Sequence, residues 1–404
     1  MGDMWSRVLE RDREHQRKAL ESFVKRLPEG PNLTVSQNIV MFTGLSSSEN
    51  LTQHFNQRKS EAGDSAVVWL KSLVDKLGGF TSAPKLAGLG ALAATVLIDT
   101  MSATSSSDAM KDALRCVFAE EKASEVWDQI DECLKRCVMH INDDGELKND
   151  ISRIERQLSA ALTKLKTSML RDGHMSSQAL KAWVNGAAFH VQMLIHLVRL
   201  GGIQTCDPAE RLLSAYLSDL DRLFKKHKEM IEGKCRMGGI AAHGAVMLRY
   251  LQDEDSEKHN MDINGCYYTY FEAYYNHRYS RQKCEIKHYF SDVRQNLQTL
   301  VQQRGSFKVD REEADPSEEK HHMEKYATGE HVNTKPLLCA KGHFHHGCSS
   351  HVCNPKHSEQ HKSESELRML NMDSRILCSF YSEMACGRKD FLYLSFRQRS
   401  WSSL

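Results

Sequence analysis

The chain has 404 residues, 40% hydrophobic and 26% charged, with a formal net charge of +1. This is an ordinary composition for a globular protein with a sizeable core, and the near-zero charge excludes a global pull toward nucleic acid or anionic membrane. Residues 1–28 are charge-rich and lack the apolar run of a secretory signal. The 12 cysteines are therefore expected to be thiols in a reducing, cytoplasmic compartment, where the sequons at Asn32 and Asn50 carry no weight.

Residues 3–26 read as a charged helix with an apolar stripe opened by Trp5, Val8 and Leu9 and continued by Leu20, Phe23 and Val24. The first residues, Met-Gly-x-x-x-Ser, match the N-myristoylation pattern at Gly2, although Asp3 is an unfavourable neighbour and one acyl chain gives only marginal attachment. Residues 31–62 are polar, with one apolar island at Ile39–Phe42, and read as a loop, so 1–60 is expected to be a helix and a flexible arm. A helix over about 64–77 follows. Asp64 or Ser65 is its cap, Val67, Leu70, Leu73, Val74 and Leu77 form one face, and Gly78–Gly79 is the stop.

From Leu77 to Ser107 the only charges are Lys85 and Asp99, and the centre, Leu86 to Ile98, is rich in Gly, Ala and Leu. Thirteen uncharged residues fall short of the roughly 20 needed to span a bilayer, so a buried core element is the default. The alternative is conditional insertion of about 80–103 into a membrane, carried by Leu86, Gly88, Gly90, Ala93, Val96 and Ile98, with Asp99 opposing it. Gly88-x-Gly90-x-x-Ala93 lacks the preceding strand that a dinucleotide fingerprint requires.

Residues 106–141 and 149–172 read as two long helices. The second carries a coiled-coil-like seam of Ile151, Ile154, Leu158, Ala161, Leu165 and Ser168. Ser176 opens a helix to Leu200 with one apolar side of Leu180, Trp183, Ala187, Val191, Leu194 and Val198. Asp207-Pro208 reads as a cap and first turn of the next helix. Met237–Leu248, twelve uncharged residues between Arg236 and Arg249, reads as core. The tyrosine-rich run from Tyr267 to Tyr279 has helical spacing, and no nucleic-acid partner is expected from it; a helix over about 280–303 closes the folded part.

Beyond 305 the chain reads as a charged linker and a largely disordered tail. The tail holds a Cys/His cluster, in which Cys339, His343, Cys348 and His351 could close a tetrahedral zinc site without the spacing of a standard finger. No nucleophile elbow, phosphate loop or His-Glu-x-x-His is present.

The segments Met175-Ser-Ser-Gln-Ala-Leu-Lys-Ala-Trp-Val-Asn-Gly186 and Tyr274-Tyr-Asn-His-Arg-Tyr-Ser-Arg-Gln-Lys283 resemble the rapunzel-like proteins of vertebrates over about 60–305. That resemblance implies a helical protein tied to skeletal development, without an assigned chemistry. The layout of amphipathic helices around one apolar element is also similar to that of helical pore-forming proteins, an analogy of architecture alone. The expected fold is all-α: an elongated bundle of long antiparallel helices over 61–304, with a flexible N-terminal arm and a disordered tail. The expected function is non-enzymatic, an interaction or scaffold protein that meets protein partners through helix faces. The alternative is a membrane-active protein, peripheral to lipid.

Overall fold

The computed structural model describes residues 2–63, 66–77, 80–102 and 109–307. The chain is mostly helical, with two small antiparallel sheets that the all-α expectation did not include. In order, the elements are α1 (Gly2–Val24), α2 (Gln37–Thr43), α3 (Ser47–Ala62), α4 (Ala66–Leu77), β1 (Phe80–Ala83), α5 (Leu89–Ser102), α6 (Ala109–Val117), α7 (Ser124–Met139), α8 (Asp144–Arg171), α9 (Ser177–Arg199) and α10 (Asp207–Lys234). Then come β2 (Arg236–Ala242), β3 (Ala245–Gln252), β4 (Lys258–Met261), α11 (Tyr267–Tyr275), α12 (Arg281–Gln295), α13 (Leu297–Gln302) and β5 (Gly305–Phe307).

The core is organised around α9. Every residue from Ala182 to Leu197 is buried, which makes this a helix enclosed on all sides rather than one with a single apolar face. Ser176 starts it by accepting a hydrogen bond from the Ala179 amide. Gly186 lets α7 and α8 approach closely: a Cβ there would stand 2.7 Å from Leu162 and 2.8 Å from Val126. The α8 seam is buried at Ile151, Ile154, Leu158, Ala161 and Leu165, and Asp143 caps it by accepting from the Gly145 and Glu146 amides.

Several expected elements are corrected. Residues 31–62 are not a loop. They form α2 and α3, and Leu33, Val35, Ile39, Phe42, Leu51 and Phe55 are buried. The segment before α2 is stapled down by side-chain amides: Asn185 accepts from the Ser36 amide and donates to the Thr34 carbonyl, and Gln282 accepts from the Leu33 amide and donates to the Pro31 carbonyl. The expected helix over 106–141 breaks after Val117 and resumes as α7. Asp207 does not cap α10; it is the first helical residue after Cys206. The expected helix over 280–303 divides at Asn296, and its start is continuous with α11 through a π-helical segment, Asn276–Ser280. Residues 305–307 pair with β1. The largest change is at Met237–Leu248, which forms an exposed β-hairpin instead of core.

Candidate interaction surface

The hairpin follows from local chemistry. Gly238 and Gly239 penalise a helix by about 1 kcal/mol each, while Val246, Leu248 and Tyr250 pair with Ala241, Ile240 and Gly238 across the strands. His243 and Gly244 both take positive φ, 53° and 79°, the backbone of a type I′ turn that matches strand twist. Tyr250 lies across the partner strand: a Cβ at Gly238 would be 2.3 Å from its ring, and Lys258 Nζ sits 4.9 Å from the ring centroid on β4. The sheet order is β2-β3-β4, and β4 pairs with β3 only from Arg249 to Gln252. The distal part of the β2–β3 hairpin is therefore an arm whose two strands pair with each other.

The arm's side chains lie open on both faces. Val246 is 41% exposed and Met247, the extra residue of a β-bulge opposite Ile240 and Ala241, 62%. On the regular strand β2 successive residues point to opposite sides, so residues three apart lie on opposite faces. On β2, Met237 is 50% and Ile240 56% exposed. No charged residue lies between Arg236 and Arg249. Charge reappears at the other end of β3, in the turn Asp253-Glu254-Asp255 and at Glu257.

That acidic turn anchors the sheet to the helices. Asp253 Oδ1 accepts from the Asp255 and Glu257 amides at 3.0 and 2.8 Å. Its Oδ2 lies 2.7 Å from His259 Nε2 and 3.4 Å from Arg278 Nη1. Arg278 belongs to the π-helical segment, whose extra residue per turn re-aims side chains. Its Nη1 also donates to Tyr274 Oη at 2.6 Å and stands 3.9 Å from Glu254, while Nη2 reaches Asp255 at 3.5 Å. The Tyr274 and Tyr279 hydroxyls both donate to Glu254, at 2.5 and 2.6 Å. Burial, together with these bonds to a carboxylate, pushes both phenol pKa values well up. Burial and the nearby Glu254 and Asp253 charges push the Cys235 thiol up to about 12.

Among the described residues, Asp253, Glu257 and His259 bring three ligand atoms within 4.8 Å of one another. Both Asp253 oxygens are already engaged, and the Arg278 guanidinium lies beside one of them, so a cation there would meet an occupied carboxylate and a like charge. A second polar cluster links Ser177 Oγ to His227 Nε2 at 2.9 Å and His227 Nδ1 to Tyr275 Oη at 3.1 Å. Tyr275 donates its own proton to the Phe224 carbonyl. Burial pushes the His227 pKa down to about 4, which makes it a poor proton acceptor for Ser177.

The candidates for membrane insertion lie together in the interior. Leu86, Gly88, Gly90, Ala93, Val96, Ile98 and Asp99 are all buried, as part of a 3-10 turn and α5. Their glycines serve that turn. Gly88 has φ +58°, and a Cβ on it would stand 2.8 Å from the Arg199 guanidinium; a Cβ on Gly90 would overlap the Lys85 carbonyl. Arg199 donates to the Ala87 and Leu300 carbonyls at 2.9 and 2.6 Å, and burial lowers its pKa to about 10. Asp99 accepts from Arg58 Nε at 2.7 Å and lies 2.7 Å from His54 Nε2. Burial acts to raise its pKa, but the bonds to His54 and Arg58 outweigh this and hold it below its ordinary value. No described helix is long and apolar enough to cross a membrane. Gly2 opens α1, and Met4, Trp5, Val8 and Leu9 are exposed on it. Cys339, His343, Cys348 and His351 lie outside the described residues.

The residues that sequence reasoning missed are Asp253, Glu254 and Arg278, and the arm itself. No family model, no curated protein and no solved structure matches the chain.

Proposed function

We propose that this chain is a non-enzymatic helical interaction protein, resembling the rapunzel-like proteins, and that its working surface is the β2–β3 arm. In this reading the long helices are an antiparallel scaffold, and the acidic turn with Arg278 fixes the arm to it. The observation that carries the reading is the exposure of Met237, Ile240, Val246 and Met247 on both faces of an uncharged hairpin. Contiguous exposed apolar surface on a folded protein marks an interaction site. The buried polar groups have structural partners: His227 is held between Ser177 and Tyr275, and both Asp253 oxygens already face donors. The arm also takes over the role that the membrane-active alternative gave to 80–103. Its apolar groups are already outside, whereas α5 would have to break the Asp99 and Arg199 contacts to leave the core.

The test replaces Met247 with a solvatochromic fluorescent amino acid in the full chain. Its emission should shift to the blue in cell extract and return when unlabelled protein competes, but not when V246D/M247D protein does. Emission that stays at its buffer value in every extract fraction would overturn the reading.

A further inference from the structure

Resting on that reading, we infer that the arm's partner is a lipid bilayer surface, which the arm enters tip first to a shallow depth. Three observations point there. First, apolar side chains face both ways: Met237 and Ile240, three residues apart on the regularly alternating β2, are both exposed. A protein groove covers one face of a hairpin, whereas the apolar layer of a bilayer surrounds it. Second, polarity is graded along the strands rather than across them. Asp255 and Glu257 stand exposed at one end of β3, Arg249 and Tyr250 occupy the middle, and the stretch around the turn carries no charge. Arginine beside tyrosine, between a charged and an apolar zone, suits the boundary between headgroups and acyl chains. From the Gly239–Arg249 pair to the His243–Gly244 turn the strands advance about 13 Å at roughly 3.3 Å per residue. That exceeds the depth of roughly 5–10 Å at which interfacial elements sit, so only the turn end of the arm is submerged.

Third, a separate apolar element leads in the same direction. Phe23 packs edge-on to His259, Arg26 donates to the Asn260 carbonyl, and His15 reaches Asp262. Helix α1 therefore runs antiparallel to β4. Strand β4 in turn runs toward the hairpin turn, since Lys258 pairs with Gln252 and Met261 with Arg249. The amino-terminal turns of α1, with exposed Met4, Trp5, Val8 and Leu9, accordingly lead toward the arm's end of the sheet. Two weak apolar contacts on one side give the two-signal attachment that a single contact cannot hold.

Depth is limited by the backbone. Among the described residues β2 has no strand on its outer edge, and β3 is unpaired on its β4 side beyond Arg249. Open edge amides cannot be satisfied in hydrocarbon, so a single arm stops where water and lipid carbonyls still reach them.

The test is flotation of the full-length protein with phosphatidylcholine–phosphatidylserine vesicles, with the fluorescent residue at position 247 as reporter. The protein should float, the emission should shift to the blue, and a nitroxide high on the acyl chain should quench it more than one near the bilayer centre. V246D/M247D should lower partitioning roughly tenfold or more, since a carboxylate resists entry into lipid. Its melting temperature should hold, because both side chains are exposed. Absence of flotation, flotation that the double variant leaves unchanged, or stronger quenching from the bilayer centre would each overturn the inference. If the reporter ignores vesicles but responds to membrane-free extract, the lipid assignment falls and the arm remains an interaction surface. Silence in both overturns both.

Discussion

Replacing Arg278 by Met should loosen the sheet's attachment to the helices. Arg278 is 6% exposed, and it faces Asp253 at 0% and Glu254 at 9%, so solvent screens these pairs little. Breaking a buried pair by removing one partner generally costs about 3–5 kcal/mol, because the other charge stays buried. Here the separations are 3.4 and 3.9 Å, and each carboxylate keeps other donors: two amides and His259 on Asp253, two tyrosine hydroxyls on Glu254. The third pair, to Asp255, is 65% exposed on the acid side and contributes little. The expected loss is therefore at the low end, about 3 kcal/mol. Hydrogen exchange of the full chain reads it locally: amides of β3 and β4 should lose protection by roughly two powers of ten, while those of α8 and α9 keep theirs. R278M/D253N should recover part of the loss, since it removes one stranded charge. Unchanged exchange in β3 and β4, or an equal loss across α8 and α9, would refute the role given to this network.

Three other perturbations probe the rest of the fold. Leu158→Asp puts an unpaired carboxylate at a fully buried seam position of α8 and should cost several kcal/mol, read as a lost or strongly lowered thermal transition; an unchanged melt would mean the seam is open. Gly88→Ala asks a Cβ to fit 2.8 Å from the Arg199 guanidinium at positive φ; a cost of about 1–3 kcal/mol is expected, and a neutral urea midpoint would contradict the tight turn. Asp99 gives a signed pH effect. Its folded pKa is depressed, so its stabilisation is complete above the unfolded carboxylate value of about 4 and is lost as pH falls through the lower folded value. Asp99→Asn should therefore narrow the stability gap between neutral pH and about pH 3; an identical gap in both proteins would remove Asp99 from the acid response.

Much of the helical framework was legible in the sequence because caps and stripes are local. Ser176 caps as its position suggests, and Ile151, Ile154 and Leu158 are buried as their spacing requires, although the helix expected from 149 already starts at Asp144 behind the cap Asp143. Helix α9 was under-read, because a one-sided template takes Ala182, Gly186 and Ala188 as filler on an outer face, whereas small residues there admit neighbouring helices. Residues 31–62 were misread because their apolar side chains are sparse among polar ones and become core only through the distant amides of Asn185 and Gln282. The arm was taken for core because twelve uncharged residues resemble an interior segment; the turn at His243–Gly244 and the Gly238–Gly239 pair were the available signs of a hairpin. The Asp253–Arg278 network joins residues 25 apart across a π-helical segment, and no sequence period announces such a segment.

Methionine oxidation mapped by mass spectrometry tests the central claim most directly. Met237 and Met247 stand 50% and 62% exposed on the arm, while Met169 and Met193 are fully buried in α8 and α9. Under brief peroxide treatment the account predicts rapid sulfoxide formation at Met237 and Met247, none at Met169 or Met193, and protection of the arm methionines once the partner surface is added. Slow oxidation of Met247, matching that of Met193, would contradict it by showing that the arm is core after all.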